Sequence, residues 1–138
     1  MTEQTISKPA PVPDEASQPF FEGALEGKLM LMRCTNCGTV RLPSRQHCDN
    51  CLSDGYEWMQ ASGRGKLRTF GVMHQRYHPA FVPDIPYNVA VVELDEGPRM
   101  VTNIIEAANG ELRVDMPVEV VFEAREDVAL PKFRPVSQ

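Results

Sequence analysis

RCTNCGTVRLPSRQHCDNC, residues 33–51, holds all four cysteines of a 138-residue chain. Two residues separate Cys34 from Cys37, two separate Cys48 from Cys51, and ten lie between the pairs. C-x-x-C hooks at that separation can close four thiolates into a tetrahedron around one ion, and Zn²⁺ takes that geometry. Gly38 follows the first hook, where a positive φ would let backbone amides turn back toward the sulfurs. Two disulfides are the competing reading. No secretory signal is legible, so a reducing, cytoplasmic setting is expected, where disulfides are rare. Rubredoxin-type iron uses the same paired hooks and stays open as an alternative metal. A four-thiolate site is coordinatively closed, so it is expected to hold a fold together without acting as a Lewis acid.

Working outward, Lys28 to Arg33 reads as a strand entering the first hook and Thr39 to Pro43 as one leaving it, the build of a zinc ribbon. LSDGYEW, 52–58, leaves the second hook, with Trp58 expected at the junction between the ribbon and the C-terminal strands. Upstream, Ser17 is a candidate N-cap with Pro19 in the first turn, opening a short helix through about Gly27. Phe20 and Ala24 fall on one line of it, Phe21 and Leu25 on the next. Residues 1–16, with Pro9, Pro11 and Pro13 alternating, bury too little apolar surface to offset their ordering entropy. They are expected to be an extended or disordered tail, or an arm that docks on a partner.

From Gln60 onward only strands are expected. Gly63 and Gly65 mark a bend before Lys66–Gln75, with Leu67, Thr69 and Gly71 assigned to one side and Arg68, Phe70 and Val72 to the other. HPAFVPDIP, 78–86, carries three prolines and must be a connection. YNVAVVEL, 87–94, is strongly β, DEGP is a tight turn, and Arg99–Ile105 returns as the partner strand. Val118–Ala124 and Leu130–Pro135 complete five strands, which points to a small closed or partly open barrel of the OB type. The fold class is therefore mainly β, divided into a tail (1–16), an N-terminal helix (17–28), a rubredoxin-like zinc ribbon (29–58) and a five-stranded OB-fold barrel (59–138).

Composition narrows the function. Apolar residues make up 42% of the chain, enough for a core, and no apolar run approaches the eighteen or so residues needed to span a bilayer. A net charge of −5 argues against a dedicated nucleic-acid binder, although ribbons and OB barrels both serve that role.

With these pieces placed, the sequence resembles the DUF35 family of zinc-ribbon/OB-fold proteins. The resemblance covers residues 9–135 and rests on PVPDEASQPFFEG, LMLMRCTNCG and LPSRQHCDNC, then SGRGKLRTF, VAVVELDEGPRMVTNI, MPVEVVF and LPKFRP, in that order. Two departures stand out: Phe21 where the family often has Trp, and Met32 where it often has Gln. The family does not keep its ribbon cysteines uniformly, but all four are present here. The resemblance implies a non-catalytic accessory subunit that partners a thiolase-fold enzyme (thiolase, acyltransferase or aldolase) or a MaoC-like hydratase. It also implies an acyl-CoA ligand, in acyl-CoA, lipid, sterol or polyketide metabolism.

The candidate site residues come from both readings. Cys34, Cys37, Cys48 and Cys51 are the metal set. Arg41 and Arg45 leave the ribbon while Arg64, Lys66 and Arg68 open the barrel. If the two modules pack side by side, these five could face one groove and meet the phosphates of CoA. Phe20 or Phe21 could then stack on adenine or line the pantetheine path; the plainer alternative is solvated charges and aromatic cover for the core. No catalytic residue is assigned, since metal claims every thiol, His47 reads as a surface neighbour of Cys48, and His74 and His78 have no acidic or nucleophilic motif beside them. A nucleic-acid-binding ribbon/OB protein and a rubredoxin-like electron carrier remain the rival functions.

Overall fold

The computed structural model describes residues 10–43, 45–75, 79–125 and 127–136. A short helix, α1 (Gln18–Leu25), leads into β1 (Met30–Cys34), which pairs antiparallel with β2 (Val40–Arg41) on one side and β3 (Tyr56–Gln60) on the other. The remaining strands are β4 (Arg64–Met73), β5 (Tyr87–Leu94), β6 (Arg99–Thr102), β7 (Pro117–Arg125) and β8 (Val128–Pro135). They form one antiparallel sheet in the order β6-β5-β4-β7-β8. Its two ends meet: Ile104 bridges Phe133 in parallel, the Ile105 amide donates to the Phe133 carbonyl at 2.8 Å, and the Phe133 amide donates to that of Asn103 at 3.1 Å. That closure makes the sheet a five-stranded barrel with the OB-fold order of strands.

Period-two alternation explains β5, where Asn88, Ala90, Val92 and Leu94 are buried and the intervening residues are half-exposed. The turn after it closes over Gly97 at φ +116°, a backbone state natural to glycine. In β4 the expected alternation fails. A bulge falls between Leu67 and Thr69, so Leu67 pairs Val92 but Thr69 pairs Val91. The extra residue inverts the two faces beyond it. Thr69 and Gly71 turn outward, and Phe70 packs on the core instead.

The ribbon and barrel share their apolar interior. Leu29 and Leu31 lie in one buried cluster with Leu67, Val92, Val118 and Phe133, and the Ala61 amide donates to the Leu29 carbonyl at 2.8 Å. β3 runs directly from this ribbon sheet toward the barrel, so the 58/59 boundary falls within a strand. The helix starts where expected, with Ser17 at the N-cap position and Pro19 in the first turn, but Ser17 is in the αR region and makes no side-chain cap. Its amide instead donates to the Asp14 carboxylate at 2.8 Å, while its hydroxyl accepts from the Asp14 amide at 3.0 Å. The reciprocal pair therefore caps the turn before the helix, with Asp14 as its acidic member. Most of the expected tail, residues 1–9, lies outside the described residues, as does His78.

Candidate functional site

Both hooks form the same knuckle. The Gly38 amide donates to the Cys34 carbonyl and the Leu52 amide to the Cys48 carbonyl, each at 3.0 Å. Gly38 has φ +80°, as its position in the first hook led us to expect, and Leu52 occupies the equivalent position of the second at φ +66°. The four sulfurs lie within 4.8 Å of one another, with Cys34–Cys51 at 3.6 Å and Cys37–Cys48 at 3.5 Å. A tetrahedral ion with Zn–S bonds of about 2.3 Å needs sulfurs about 3.8 Å apart, so the set fits Zn²⁺. Cys34 and Cys48 are buried beneath the ribbon; Cys37 is exposed.

Local hydrogen bonds favour the thiolate at Cys37 and Cys34, whereas at Cys51, against a hydrogen bond from Asn36, burial and the Cys34 and Cys37 sulfurs raise the thiol. The Thr39 side chain, 3.1 Å from the Cys37 sulfur, leads the groups that pull this thiol down to about 5. A backbone amide from Cys37 lowers Cys34 in the same way. At Cys34 and Cys37 these donors favour the charge state a metal requires.

The five cations do not share one groove. Arg41 and Arg45 line a cleft of about 490 Å³ between the ribbon and the β5–β6 turn, with Glu96 and Arg99 opposite. Arg41 is 2% exposed, with its guanidinium carbon 5.6 Å from the Tyr56 ring centre and its Nε donating to the Arg45 carbonyl at 2.9 Å. Arg45 is exposed and pairs with Asp49 at 3.1 Å. Arg64 and Lys66 are exposed on β4 and do not line that cleft. Arg68, at the bulge, is engaged by Asp115 at 2.6 Å and Glu93 at 3.4 Å. Phe20 and Phe21 meet edge to face at 5.2 Å, and Phe20 packs on the core. Neither phenylalanine borders the cleft. His47 and His74 are exposed.

A second cavity, of about 470 Å³, sits at the opposite end of the barrel. Phe81, Tyr87, Asn88 and Asn103 line it, with Arg125 and Lys132, both paired with Glu123. None of these residues is a candidate from sequence. One signal was available: Asn88 falls in phase with Ala90, Val92 and Leu94, a polar group on the inward side of a strand.

Comparisons with known proteins agree with this architecture. Residues 21–57 match the family model "ChsH2, rubredoxin-like zinc ribbon domain" and residues 58–123 match "ChsH2, C-terminal OB-fold domain". A DUF35 domain-containing scaffold protein of Methanocaldococcus jannaschii is 38% identical over 68% of this chain and 67% of its own length. A probable enoyl-CoA hydratase alpha subunit of Thermomonospora curvata is 38% identical over 97% of this chain, which spans only 43% of that relative. Among solved structures, a chain of an Ltp2-ChsH2(DUF35) aldolase superposes with a TM-score of 0.80 at 37% identity, covering 91% of this chain and 98% of that one. The chain thus belongs to the DUF35 family, with a ChsH2-type zinc ribbon and OB-fold in one polypeptide.

Proposed function

We propose that this protein is a non-catalytic accessory subunit of a thiolase-fold enzyme that acts on acyl-CoA thioesters. The observation that carries the reading is the likeness to the ChsH2 chain of an aldolase complex over nearly its whole length. A similarity to the benzoylsuccinyl-CoA thiolase subunit BbsA of Thauera aromatica, at 26% identity over 88% of this chain, points the same way. Chemistry supports it too. The four thiolates fill a tetrahedral ion, so a bound zinc keeps the ribbon folded and offers no position to substrate. Cys34 and Cys48 anchor that ion from the buried side, and the shared Leu29–Leu31 core transmits the ribbon's position to the barrel.

An acyl-CoA would meet this chain through its exposed cations. Arg64 and Lys66, exposed on β4, would offer phosphate contacts, as would Arg45 once released from Asp49, whereas Arg68 is already engaged by two carboxylates. Co-expression with the thiolase-fold enzyme of the native host, then size-exclusion chromatography and titration calorimetry with an acyl-CoA, tests both parts. A stable heteromer is expected, with acyl-CoA binding weakened in Arg45→Ala and Lys66→Ala. Thioester turnover by the isolated chain would overturn the accessory role, and absence of heat with the complex would overturn the acyl-CoA contact.

A further inference from the structure

The cavity of about 470 Å³ contains an ion cluster whose members are unequally held. Glu123 and Arg125 are two residues apart on β7 and so share a face, and Lys132 of β8 pairs with Val121, which puts it on that face too. Both cations meet one carboxylate oxygen: Arg125 Nη2 lies 3.3 Å and Lys132 Nζ 3.7 Å from Glu123 Oε2. The Arg125 and Lys132 side chains are only 14% and 15% exposed, whereas that of Glu123 is 45% exposed. The cations are therefore the sheltered partners and their shared anion the loose one. Lys132 also donates to the Asn103 carboxamide, whose NH2 donates to the Asn88 carbonyl, so departure of Glu123 leaves the ammonium anchored to the barrel. Arg125 gives Glu123 a single hydrogen bond, although a guanidinium and a carboxylate can join by two.

Apolar and aromatic groups line the same space. The Phe81 and Tyr87 ring centres are 6.3 Å apart with planes at 45°, and Ile105 and Ala107 border the cavity with them. A cavity of this size, largely apolar with a few fixed charges, suits a small molecule with a ring at one end and an anion at the other. We infer that it binds an aromatic monocarboxylic acid, whose carboxylate replaces that of Glu123 on Arg125 and Lys132 while its ring packs against Phe81 and Tyr87. Charge balance selects a carboxylate over a phosphate. Two cations and two carboxylates, Glu123 and Asp84, line the cavity, so one monoanion exchanges for another at little cost, whereas a dianion adds charge to a set already neutral. The site uses none of the cations assigned to acyl-CoA and needs no thioester, nucleotide or partner enzyme, so it stands independently of the accessory role.

The test is amide NMR of the zinc-loaded full chain, titrated separately with 2-naphthoate, 2-naphthamide and 2-naphthyl phosphate. Saturable shifts are expected with naphthoate at residues 81–88, 103–107 and 123–125, while the ribbon stays unmoved. Naphthamide keeps the ring but lacks the charge, and should bind about tenfold more weakly. Naphthyl phosphate carries the extra charge and should also bind about tenfold more weakly. Arg125→Gln should weaken naphthoate by about tenfold. Glu123→Ala removes the internal competitor from an exposed position and should tighten naphthoate by about fivefold, a gain that damage to the fold would not produce. That variant decides the matter alone if Arg125→Gln fails to fold. Equal or tighter binding of the amide or the phosphate, shifts that map to another surface, the absence of saturation, or unchanged or weaker binding in Glu123→Ala would each overturn the assignment.

Discussion

Asn88 and Ile104 hold each other by two hydrogen bonds inside the barrel. The Asn88 carboxamide donates to the Ile104 carbonyl at 2.8 Å and accepts from the Ile104 amide at 2.7 Å. Both residues are buried, so one side chain replaces the strand neighbour that Ile104 lacks where β6 ends. Asn109 accepts the second Asn88 amide proton at 3.1 Å and so ties the following loop to the same point. Replacing Asn88 with Ala orphans two buried backbone groups at once. Urea denaturation should show a loss of about 3 kcal/mol, well above that of an exposed Asn→Ala change. A loss below about 1 kcal/mol would mean that water replaces the carboxamide there.

Glycines in β4 separate a packing constraint from a permissive position. A Cβ on Gly65 would stand 2.5 Å from the Glu93 carbonyl oxygen, a backbone atom of the paired strand that cannot step aside. Gly65→Ala should cost about 2 kcal/mol or more by prying β4 from β5. On Gly71 the same atom would meet nothing within 4 Å, and the backbone there is ordinary. Gly71→Ala should therefore leave stability unchanged or raise it by about 0.5 kcal/mol. Thermal melts of the two variants against wild type check the contrast.

Leu52 sits at φ +66° with 74% of its surface exposed, in the knuckle position that Gly38 fills on the other hook. Branched side chains are strained there, and little packing rewards this one. Leu52→Asn should stabilise the metal-loaded chain by about 0.5 kcal/mol, since asparagine tolerates left-handed backbone. A destabilised variant in chemical denaturation would show that the leucine makes a contact worth more than its strain.

Removing the metal should be felt in the barrel as well as the ribbon. Leu29 and Leu31 belong to the barrel's own core cluster, so loosening β1 uncovers Val92 and Phe133. Chelation should release one equivalent of zinc, read with a colorimetric indicator, and lower Tm by about 10 °C or more. Hydrogen exchange should speed in β1 and β3 first. An unchanged Tm after complete release would show that hydrophobic docking alone holds the ribbon in place.

Asp14 gives the N-terminal turn a pH dependence. The Ser17 side chain, and then its amide, hold the Asp14 carboxyl below its ordinary 3.8. A depressed carboxylate contributes stability above its unfolded pKa and loses it as pH falls through the folded value. The turn before α1 should therefore stay intact at neutral pH and begin to fray only below about pH 4. Carbon-detected titration of Asp14 should give a midpoint under 3.8, and Asp14→Ala should remove the acid step in amide exchange at Ser17.

Much of the architecture is readable from residue order alone. The cysteine spacing specifies a ribbon because ligand geometry is local: two residues between thiolates set one knuckle whatever surrounds it. Alternation in YNVAVVEL likewise specifies an inward and an outward face, since each residue of a strand turns the next one over. Tertiary structure alone decided the β4 bulge, which depends on how Leu67 and Thr69 register against Val92 and Val91. It also decided which cations meet. Arg41 and Arg68 look alike as arginines near glycines, yet one is sealed beneath a cleft and the other is clasped by Asp115, forty-seven residues away. Burial and ion pairing depend on distances between remote segments, and those distances exist only once the ribbon has docked on the closed barrel.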